Sequence, residues 1–169
     1  MQKNELERFS ILTKLNVLYK ILEVRKQVSR WKSEGLTVGL VPTMGGLHNG
    51  HKSLINSASK KCDKVIVTIF INPTQFGDDE DLDTYPRTQK SDITLISDAG
   101  GTAVFIPNVS EMYPRGFSTK VSVSGLTDML CGTSRPGHFD GVTQIVTKLL
   151  NQVAADMAFF GEKDWQQLA

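Results

Sequence analysis

Two histidines three residues apart, His48 and His51, are the side chains whose types and spacing most directly suggest chemistry. They follow an apolar run that ends at Pro42, which cannot continue a β-ladder, and a pair of glycines. The segment Gly50–Lys61 can form a helix. A strand, a glycine turn and a helix start present backbone N–H groups and a positive dipole end to a phosphate. The pattern predicts a nucleotide site with both histidines as donors.

Three interpretations of the histidine pair stay open on the residues alone. A zinc site needs further ligands, and neither Cys62, at the far end of the same helix, nor His138 has a matching spacing. A structural pair would have one buried ring and one ring capping the helix. Phosphate donation is the interpretation that also uses the glycines and the helix start.

Length and composition favour one globular domain with a small-molecule partner. The chain has 169 residues, 40% hydrophobic content and a net charge of +1, so no basic field favours nucleic acid. No apolar run reaches the roughly 20 residues of a membrane helix, and the N-terminus lacks a signal-peptide pattern. Cys62 and Cys131 have no CxxC spacing. We therefore expect reduced thiols in a cytoplasmic protein without a membrane partner.

Hydrophobic periodicity predicts alternating strands and helices from about residue 15 onward. Strands are expected at 36–41, 64–71, 102–106, 119–123 and 157–160, with 16–19 a short strand or a first helical turn. Helices are expected at 20–33, 50–61, 86–98, 125–130 and 139–153. Residues 1–14 are an N-terminal extension that can be mobile, without an assigned role; 78–83 is acidic, exposed and mobile, and 132–140 is a polar loop. The alternation predicts an α/β fold with a Rossmann-like, doubly wound parallel sheet.

Polar side chains follow three of the predicted strands. His48 and His51 follow one, Asn72 and Gln75 the next, and Lys163 and Asp164 the last. Ligands bind at the carboxyl ends of strands in open parallel sheets. The sequence therefore predicts that these groups converge on one site.

The stretch His48–His51 resembles the HxGH motif of nucleotidylyltransferases and class I aminoacyl-tRNA synthetases. Longer stretches resemble, in order and spacing, the pantothenate synthetase (pantoate–beta-alanine ligase) family over about residues 15–169. They are Val41–Gly45, Ile71–Phe76, Tyr85–Thr88, Ser134–Phe139 and Phe160–Leu168. The resemblance implies a Rossmann-like domain of the HxGH nucleotidylyltransferase type that binds ATP and pantoate.

The resemblance implies an ATP-dependent ligase that needs Mg²⁺. Pantoate's carboxylate attacks the α-phosphate of ATP to give pantoyl adenylate and pyrophosphate, and beta-alanine then displaces AMP to give pantothenate. His51, as proton donor, and His48 are the catalytic residues that it implies. The ATP contacts that it implies are Met44, Gly45, Gly46, Leu47, His48, Asn49, Gly50, His51, Gly161, Glu162, Lys163 and Asp164.

The resemblance also implies a second group of residues, around pantoate and beta-alanine. Its members are Gln75, Gln167, Asn72, Tyr85, Arg135 and His138. Asp92 occupies the position that approaches Mg²⁺ in the family, through water. Other roles stay open for some of them: a solvated helix acid for Asp92, a loop ion pair for Arg135 and a turn residue for Asn72.

Family members continue into a smaller C-terminal domain that clamps the triphosphate, and they are usually homodimers. The resemblance therefore predicts an N-terminal domain that lacks this lid and turns over poorly alone. Two alternatives stay open: a nucleotidyltransferase of the HxGH type, and a nucleotide-binding module without catalysis.

Overall fold

The computed structural model of the chain describes residues 15–77, 80 and 82–169. The β-strands of this part are β1 (Asn16–Leu18), β2 (Val38–Thr43), β3 (Lys64–Ile69), β4 (Ala103–Phe105) and β5 (Met157–Ala158). Its α-helices are α1 (Ile21–Ser33), α2 (Asn49–Lys61), α3 (Gln89–Asp98), α4 (Val109–Met112), α5 (Cys131–Ser134), α6 (His138–Val153) and α7 (Trp165–Leu168). Short 3₁₀ turns lie at Pro73–Gln75, Leu126–Asp128 and Glu162–Asp164.

The five strands form one parallel sheet in the order β1-β4-β3-β2-β5. From β2 the chain winds outward through β3 to β4, and it then returns to place β5 on the other side of β2. The carboxyl ends of β2 and β5 therefore border the point where the winding reverses, which is where open α/β sheets bind ligands. The predicted doubly wound fold is confirmed.

Each face of the sheet carries helices, because its central strands are apolar on both sides. On one face, Val24 of α1 and Leu149 of α6 pack with Leu40 and Ile66 of the sheet. On the other face, Ile55 of α2 packs with strand residues that include Val65 and Val67. The alternation of Val65, Ile66 and Val67 between the two clusters explains the near-continuous apolar run in the sequence.

Several predicted boundaries are corrected. The region 16–19 contains a strand, β1. The helix predicted from Pro86 begins only at Gln89, after an N-cap at Thr88, and residues 86–88 contribute to the wall of a cavity. The predicted helix over 125–130 is reduced to one 3₁₀ turn, and the predicted loop over 132–140 contains α5 and the start of α6.

The strand predicted at 119–123 does not form. Its backbone is instead attached to α6: the Val121 N–H donates to Gln144 Oε1 at 3.0 Å, and the Val121 carbonyl accepts from Thr143 Oγ1 at 2.9 Å. Both backbone groups of Val121 are satisfied by side chains, so this extended segment needs no neighbouring strand.

Two expectations fall partly or wholly outside the described residues. The extension 1–14 lies outside them, as do residues 78, 79 and 81 of the acidic stretch. Glu80 of that stretch is described, and it is half-buried in an ion pair with Arg135, so its expected exposure is wrong. No helix in the described part of the chain has the length and apolar composition to cross a membrane.

Candidate functional site

The turn after β2 is built by two glycines and a distant carboxylate. Gly45 and Gly46 have φ angles of +89° and +62°, a region that favours glycine. The Gly46 and Leu47 N–H groups donate to the Asp92 carboxylate of α3 at 3.1 and 2.9 Å. Thr88 Oγ1 also lies 3.1 and 3.2 Å from its two oxygens. Asp92 is only 2% exposed, so it is not a solvated helix acid but holds the turn against α3.

The backbone of this turn is not open to a phosphate in the way that the sequence predicted. Besides the two N–H groups held by Asp92, Gly45 N–H donates to Thr43 Oγ1 at 3.2 Å. His48 N–H donates to His51 Nδ1 at 3.3 Å, and Gly50 N–H donates to His48 Nδ1 at 3.1 Å. Because side chains already satisfy these donors, the expected cradle of free glycine N–H groups is wrong.

The same bonds orient the two imidazoles. His48 is the N-cap of α2, and its ring and that of His51 each accept one backbone N–H through Nδ1. An accepting Nδ1 carries no proton, so in the neutral ring the proton is on Nε2. Among the described residues neither Nε2 has a hydrogen-bond partner, and the ring centroids lie 4.2 Å apart. The turn therefore offers two side-chain donors.

The surroundings of His51 favour its neutral form. Burial, and after it the neighbouring His48, lower the pKa of His51 below the ordinary histidine value, while Asp92 and Asp164 act in the opposite direction. Burial lowers a histidine pKa because the cation loses solvation. At neutral pH His51 is thus a neutral donor through Nε2.

Gly50 is needed for space rather than for backbone conformation. A Cβ at this position would lie 2.9 Å from His48 Cε1 and 3.1 Å from His48 Nδ1. The His48 ring therefore lies directly over Gly50, and any larger residue would push it away from its cap. This contact gives the glycine between the two histidines a physical reason.

Asp92 is not a good direct ligand for Mg²⁺ in the described part of the chain. The Asp92 carboxylate has about four acceptor positions, and two N–H groups and the Thr88 hydroxyl already use most of them. No group of three or more His, Cys, Asp or Glu side chains that could hold a metal occurs among the described residues. A contact of Asp92 to Mg²⁺ through water stays a prediction.

A second group of predicted residues meets at the end of β3. Asn72, 1% exposed, donates through Nδ2 to Gln75 Oε1 and to the Gly141 carbonyl of α6, both at 3.1 Å. Gln75 Nε2 lies 3.1 Å from Met44 Sδ, so this group touches the turn after β2. Asn72 is thus more than a turn residue before a proline.

Gly141 allows this contact between α6 and the 3₁₀ turn. A Cβ there would lie 2.3 Å from the Thr74 carbonyl oxygen, a distance at which the helix would have to move. The sequence contained a signal for this packing, because a glycine inside an apolar helical pattern often marks a close approach.

Arg135 and His138 join the same group from the start of α6. Arg135 forms a two-bonded ion pair with Glu80 and also contacts His138 Nε2 at 2.9 Å. His138 Nδ1 lies 2.8 Å from the Gln75 carbonyl oxygen. The Arg135 hydrogen bond holds the pKa of Glu80 at about 2. The ion pair that the sequence left open for Arg135 is therefore present.

A cavity of about 420 Å³ lies beside the turn, between the ends of β3 and β4 and the start of α3. It is mainly apolar, and its wall includes Met44, Phe70, Leu82, Thr88, Asp92 and Val109. Tyr85 directly precedes Pro86, another residue of this wall. The Tyr85 ring packs edge-on against Phe76, with ring centroids 5.9 Å apart. Burial raises the pKa of Tyr85, so its hydroxyl stays protonated at neutral pH.

The segment after β5 is much more open. The side chains of Lys163 and Asp164 are 87% and 57% exposed and lie 3.5 Å apart. Both charges act on the pKa of His51, which places this segment near the histidines. Gly161 lies near Leu54 of α2, whereas Glu162 is exposed. Gln167 is exposed too, and its side chain makes no hydrogen bond to any described residue.

Gln166, the neighbour of Gln167, makes side-chain hydrogen bonds, although the sequence did not single it out. Its Oε1 accepts from Cys131 N–H at 3.0 Å, and its Nε2 donates to the Leu126 and Met129 carbonyls at 2.8 and 2.7 Å. Glu80 and Tyr113 were also missed, because their partners Arg135 and Asn72 lie 55 and 41 positions away. Thr88 lies in a stretch that the sequence did single out, but its bond to Asp92, four positions along, was not predicted. Cys62 and Cys131 are both free thiols.

Comparison with known proteins gives a consistent family. The family model described as pantoate-beta-alanine ligase matches residues 16–169. The pantothenate synthetase of Cereibacter sphaeroides is 57% identical over 152 residues, which cover 90% of this chain and 54% of that protein. The pantothenate synthetase of Enterococcus faecalis is 57% identical over 154 residues, which cover 90% and 55%.

Solved structures agree with the fold. The crystal structure of pantothenate synthetase from Thermus thermophilus matches with a TM-score of 0.86 and 43% identity, over 91% of this chain and 54% of that one. The pantoate-beta-alanine ligase from Francisella tularensis, complexed with beta-gamma ATP and beta-alanine, matches with a TM-score of 0.83 and 38% identity, over 91% and 59%. The chain spans about half the length of the curated relatives that it matches.

Proposed function

We propose that this chain, which belongs to the pantoate-beta-alanine ligase family, is the ATP- and pantoate-binding domain of an enzyme that joins pantoate to beta-alanine. A carboxylate oxygen of pantoate attacks the α-phosphate of ATP, and pyrophosphate leaves. The amine of beta-alanine then attacks the acyl carbon of pantoyl adenylate. An amide bond forms, AMP leaves, and the amine loses a proton.

The observation that carries this proposal is the pair of Nε2 donors at the point where the sheet winding reverses. His48 and His51 are held through Nδ1, so their N–H groups keep a fixed direction without reorganisation. Negative charge builds up on the α-phosphate as the carboxylate attacks, and fixed donors stabilise such charge. The loss of one preorganised donor typically lowers the rate by about 10² to 10³.

The segment after β5 completes the ATP site in this proposal. Lys163 is an exposed ammonium on a flexible stem and suits the phosphates as a point charge. Asp164 suits the ribose hydroxyls, as acids do in dinucleotide folds. Gly161 and Glu162 connect this segment to the sheet, and Asn49 and the glycines form the opposite wall. Mg²⁺ enters as part of the substrate, MgATP, because the triphosphate supplies oxygen ligands and the described residues include no group of three or more side chains that could hold a metal.

Pantoate lies, in this proposal, against Gln75. The Gln75 amide donates to pantoate's oxygens without competing with them as a nucleophile, and Met44 provides an apolar contact. Gln167 completes the amide pair when ligand draws its exposed helix inward. Asn72, Tyr85 and His138 shape the beta-alanine side. Arg135 acts on it indirectly, because its guanidinium is already bonded to Glu80.

Two further expectations belong to the proposal. Family membership supports a homodimer, and the two free thiols are compatible with a cytoplasmic location. Relatives about twice as long support the view that a further domain closes over the triphosphate. Lid closure commonly completes a catalytic site, so we expect this chain alone to bind its substrates weakly and to turn over slowly.

The test is calorimetry with MgATP and pantoate, followed by a single-turnover assay for AMP and pantothenate with and without beta-alanine. His51→Gln is the variant and Ser57→Ala, exposed on the same helix, is its control. We expect both substrates to bind and AMP to form only when pantoate and beta-alanine are present. We also expect His51→Gln to slow the reaction at least about 10²-fold.

Other outcomes identify the alternatives. Binding of ATP without pantoate binding, AMP or pantothenate would indicate a nucleotide-binding module. Pyrophosphate release that does not depend on pantoate, and without beta-alanine-dependent AMP, would indicate a nucleotidyltransferase. Equal rates for His51→Gln and Ser57→Ala would remove His51 from the mechanism.

A further inference from the structure

Gln75 is at the end of a partly buried hydrogen-bond chain that begins at Tyr113. The Tyr113 hydroxyl donates to Asn72 Oδ1 at 2.9 Å, and Asn72 Nδ2 donates to Gln75 Oε1 at 3.1 Å. Thr74 Oγ1 also donates to Asn72 Oδ1, at 3.0 Å. Tyr113 follows directly after α4, 41 positions beyond Asn72 in the sequence.

The direction of each bond in this chain is determined by groups that have no choice of role. Thr74 N–H can only donate, and it lies 3.4 Å from Asn72 Oδ1; the Gly141 carbonyl can only accept, and it lies 3.1 Å from Asn72 Nδ2. The Asn72 amide therefore has one orientation. Since Nδ2 faces Gln75, the oxygen of Gln75 must face Asn72, and its NH₂ group is left to face outward, toward Met44.

Tyr113 is itself firmly placed. Its ring packs against Phe70, with centroids 6.3 Å apart, and against Phe117 at 5.5 Å. Lys148 Nζ lies 5.4 Å from the Tyr113 centroid and 3.8 Å from that of Phe117, within cation–π range. Burial also raises the pKa of Tyr113, which keeps the hydroxyl proton available for donation. Because these contacts hold the ring, the Tyr113 hydroxyl keeps a fixed position and can hold Asn72 Oδ1 in place.

We infer that Tyr113 is a positioning residue: together with Thr74 and the Gly141 carbonyl it holds the Asn72 amide, and through Asn72 it keeps the NH₂ group of Gln75, and not the carbonyl oxygen, toward the acidic substrate. The inference rests on the proposed function for the identity of that substrate, pantoate. The reversed amide would present an acceptor to a carboxylate and to hydroxyl oxygens, and binding would be lost. Tyr113 does not touch the substrate in this arrangement.

Tyr113→Phe tests the inference, because it removes one hydroxyl and leaves the ring contacts. Asn72 Oδ1 keeps its two bonds from Thr74, so the fold is retained. Tyr19→Phe is the matched control, since Tyr19 is 50% exposed and has no place in the site. The first measurement is the side-chain amide signal of Gln75 in the ligand-free chain by ¹H–¹⁵N NMR, assigned by its loss in Gln75→Ala. The second is calorimetry with pantoate and with MgATP.

We expect Tyr113→Phe to shift or broaden the Gln75 amide signal and to weaken pantoate binding about three- to tenfold, as the loss of one hydrogen bond implies. MgATP binding should change less than about twofold on the same scale. Tyr19→Phe should change none of these. An unchanged Gln75 signal, or an unchanged pantoate affinity in Tyr113→Phe, would overturn the inference. If the unmodified chain binds no pantoate, the proposed function fails instead, and the ligand-free amide signal still decides whether Tyr113 positions Gln75.

Discussion

The two walls of the proposed ATP site are held in opposite ways. The turn Gly45–His51 is fixed from inside the domain by a carboxylate that is 2% exposed, and by the His51 and His48 rings, which accept the backbone N–H groups of His48 and Gly50. The segment Gly161–Leu168 follows a two-residue strand and carries Lys163, whose side chain is 87% exposed, and Trp165, which is 70% exposed. Both walls border the same point of the sheet.

This difference in hydrogen bonding indicates which part of the site is ordered by folding itself. The entropy of fixing the turn is offset during folding, because its N–H groups gain side-chain partners, among them the buried carboxylate of Asp92. The segment after β5 has few such partners within the described residues, so we expect ligand to order it. We call the turn Gly45–His51 the rigid wall and the segment Gly161–Leu168 the open wall.

The largest expected effect is on the rigid wall. Asp92→Ala leaves the partly buried N–H groups of Gly46 and Leu47 without their acceptor, which we expect to reduce the free energy of unfolding by about 2–4 kcal/mol. Thermal unfolding should then occur about 5–15 °C lower. Asp98→Ala, an exposed acid at the other end of α3, is the control and should change the midpoint little. Equal midpoints for the two variants would show that Asp92 does not hold the turn.

The second prediction concerns Gly50→Ala, which changes the rigid wall and can be compared with a matched change on the open wall. Its Cβ would meet the His48 ring at 2.9 Å, so we expect the ring to leave its cap and MgATP affinity to fall about tenfold through loss of a charge-assisted donor. The net cost in stability should be small, because alanine favours the helix by about 1 kcal/mol. The measurements are calorimetry and the His48 ring signals by NMR.

Gly161→Ala is the comparison on the open wall. The nearest atom to its Cβ would be Leu54 Cδ1 at 3.9 Å, an ordinary contact. We expect the His48 ring signals of the ligand-free chain to stay unchanged. If Gly161→Ala disturbs them as much as Gly50→Ala does, the two walls are not independent.

A pH titration examines the electrostatics of the rigid wall. Burial lowers the pKa of His51 in the folded chain, so the unfolded chain takes up this proton first as the pH falls. The stability linked to His51 is therefore present above about pH 6.5, the unfolded value, and is lost as the pH falls from there toward the folded pKa. We expect the His51 Cε1–H signal in NMR to titrate below about pH 6.5.

His48→Gln sharpens the same experiment, because it removes a neighbour that lowers the pKa of His51. The His51 midpoint should rise toward the ordinary value but stay below it, since burial is the larger cause. A midpoint at or above the ordinary histidine value in the unmodified chain would contradict the neutral donor assigned to His51.

The smallest effect concerns two neighbouring glutamines of the open wall. Gln166→Ala removes the acceptor of Cys131 N–H and two donations to the 126–129 turn. On an exposed segment we expect a loss of about 1 kcal/mol, seen as roughly fivefold faster hydrogen exchange at the Cys131 amide. Gln167→Ala should leave that exchange rate unchanged, because the Gln167 side chain has no hydrogen bond to the described residues. Identical exchange in both variants would show that Gln166 does not anchor the turn.

The sequence predicted the architecture well wherever the hydrophobic pattern was long. The β-branched run at 64–71 contains β3, and the three- and four-residue spacing from Ile21 to Trp31 matches α1, because burial of a stripe or of both faces requires those periods. The pattern failed at 119–123. There the choice between strand and loop depended on Gln144 and Thr143, side chains of a helix that is distant in sequence.

The sequence predicted where in the fold the site residues lie, but it did not predict which hydrogen bonds they make. His48, His51, Asn72 and Gln75 lie at strand ends, and the parallel sheet brings strand ends together. The roles of their backbone and side-chain groups were not predictable in the same way. The Gly46 N–H that looked available to phosphate is bonded to Asp92, 46 positions away.

By itself the sequence determined the strands and helices that bury their apolar faces, the glycines of the turn and the pair of histidines at a helix start, because these depend on local spacing and side-chain type. Only the tertiary structure decided which donors remain available. Each hydrogen-bonding group has few positions for partners, and folding fills them with residues distant in the sequence, such as Asp92 for the turn and Tyr113 for Asn72. A ligand can bind only the groups that folding leaves available. At the turn after β2 and the end of β3 the described residues leave two imidazole N–H groups and the NH₂ group of Gln75.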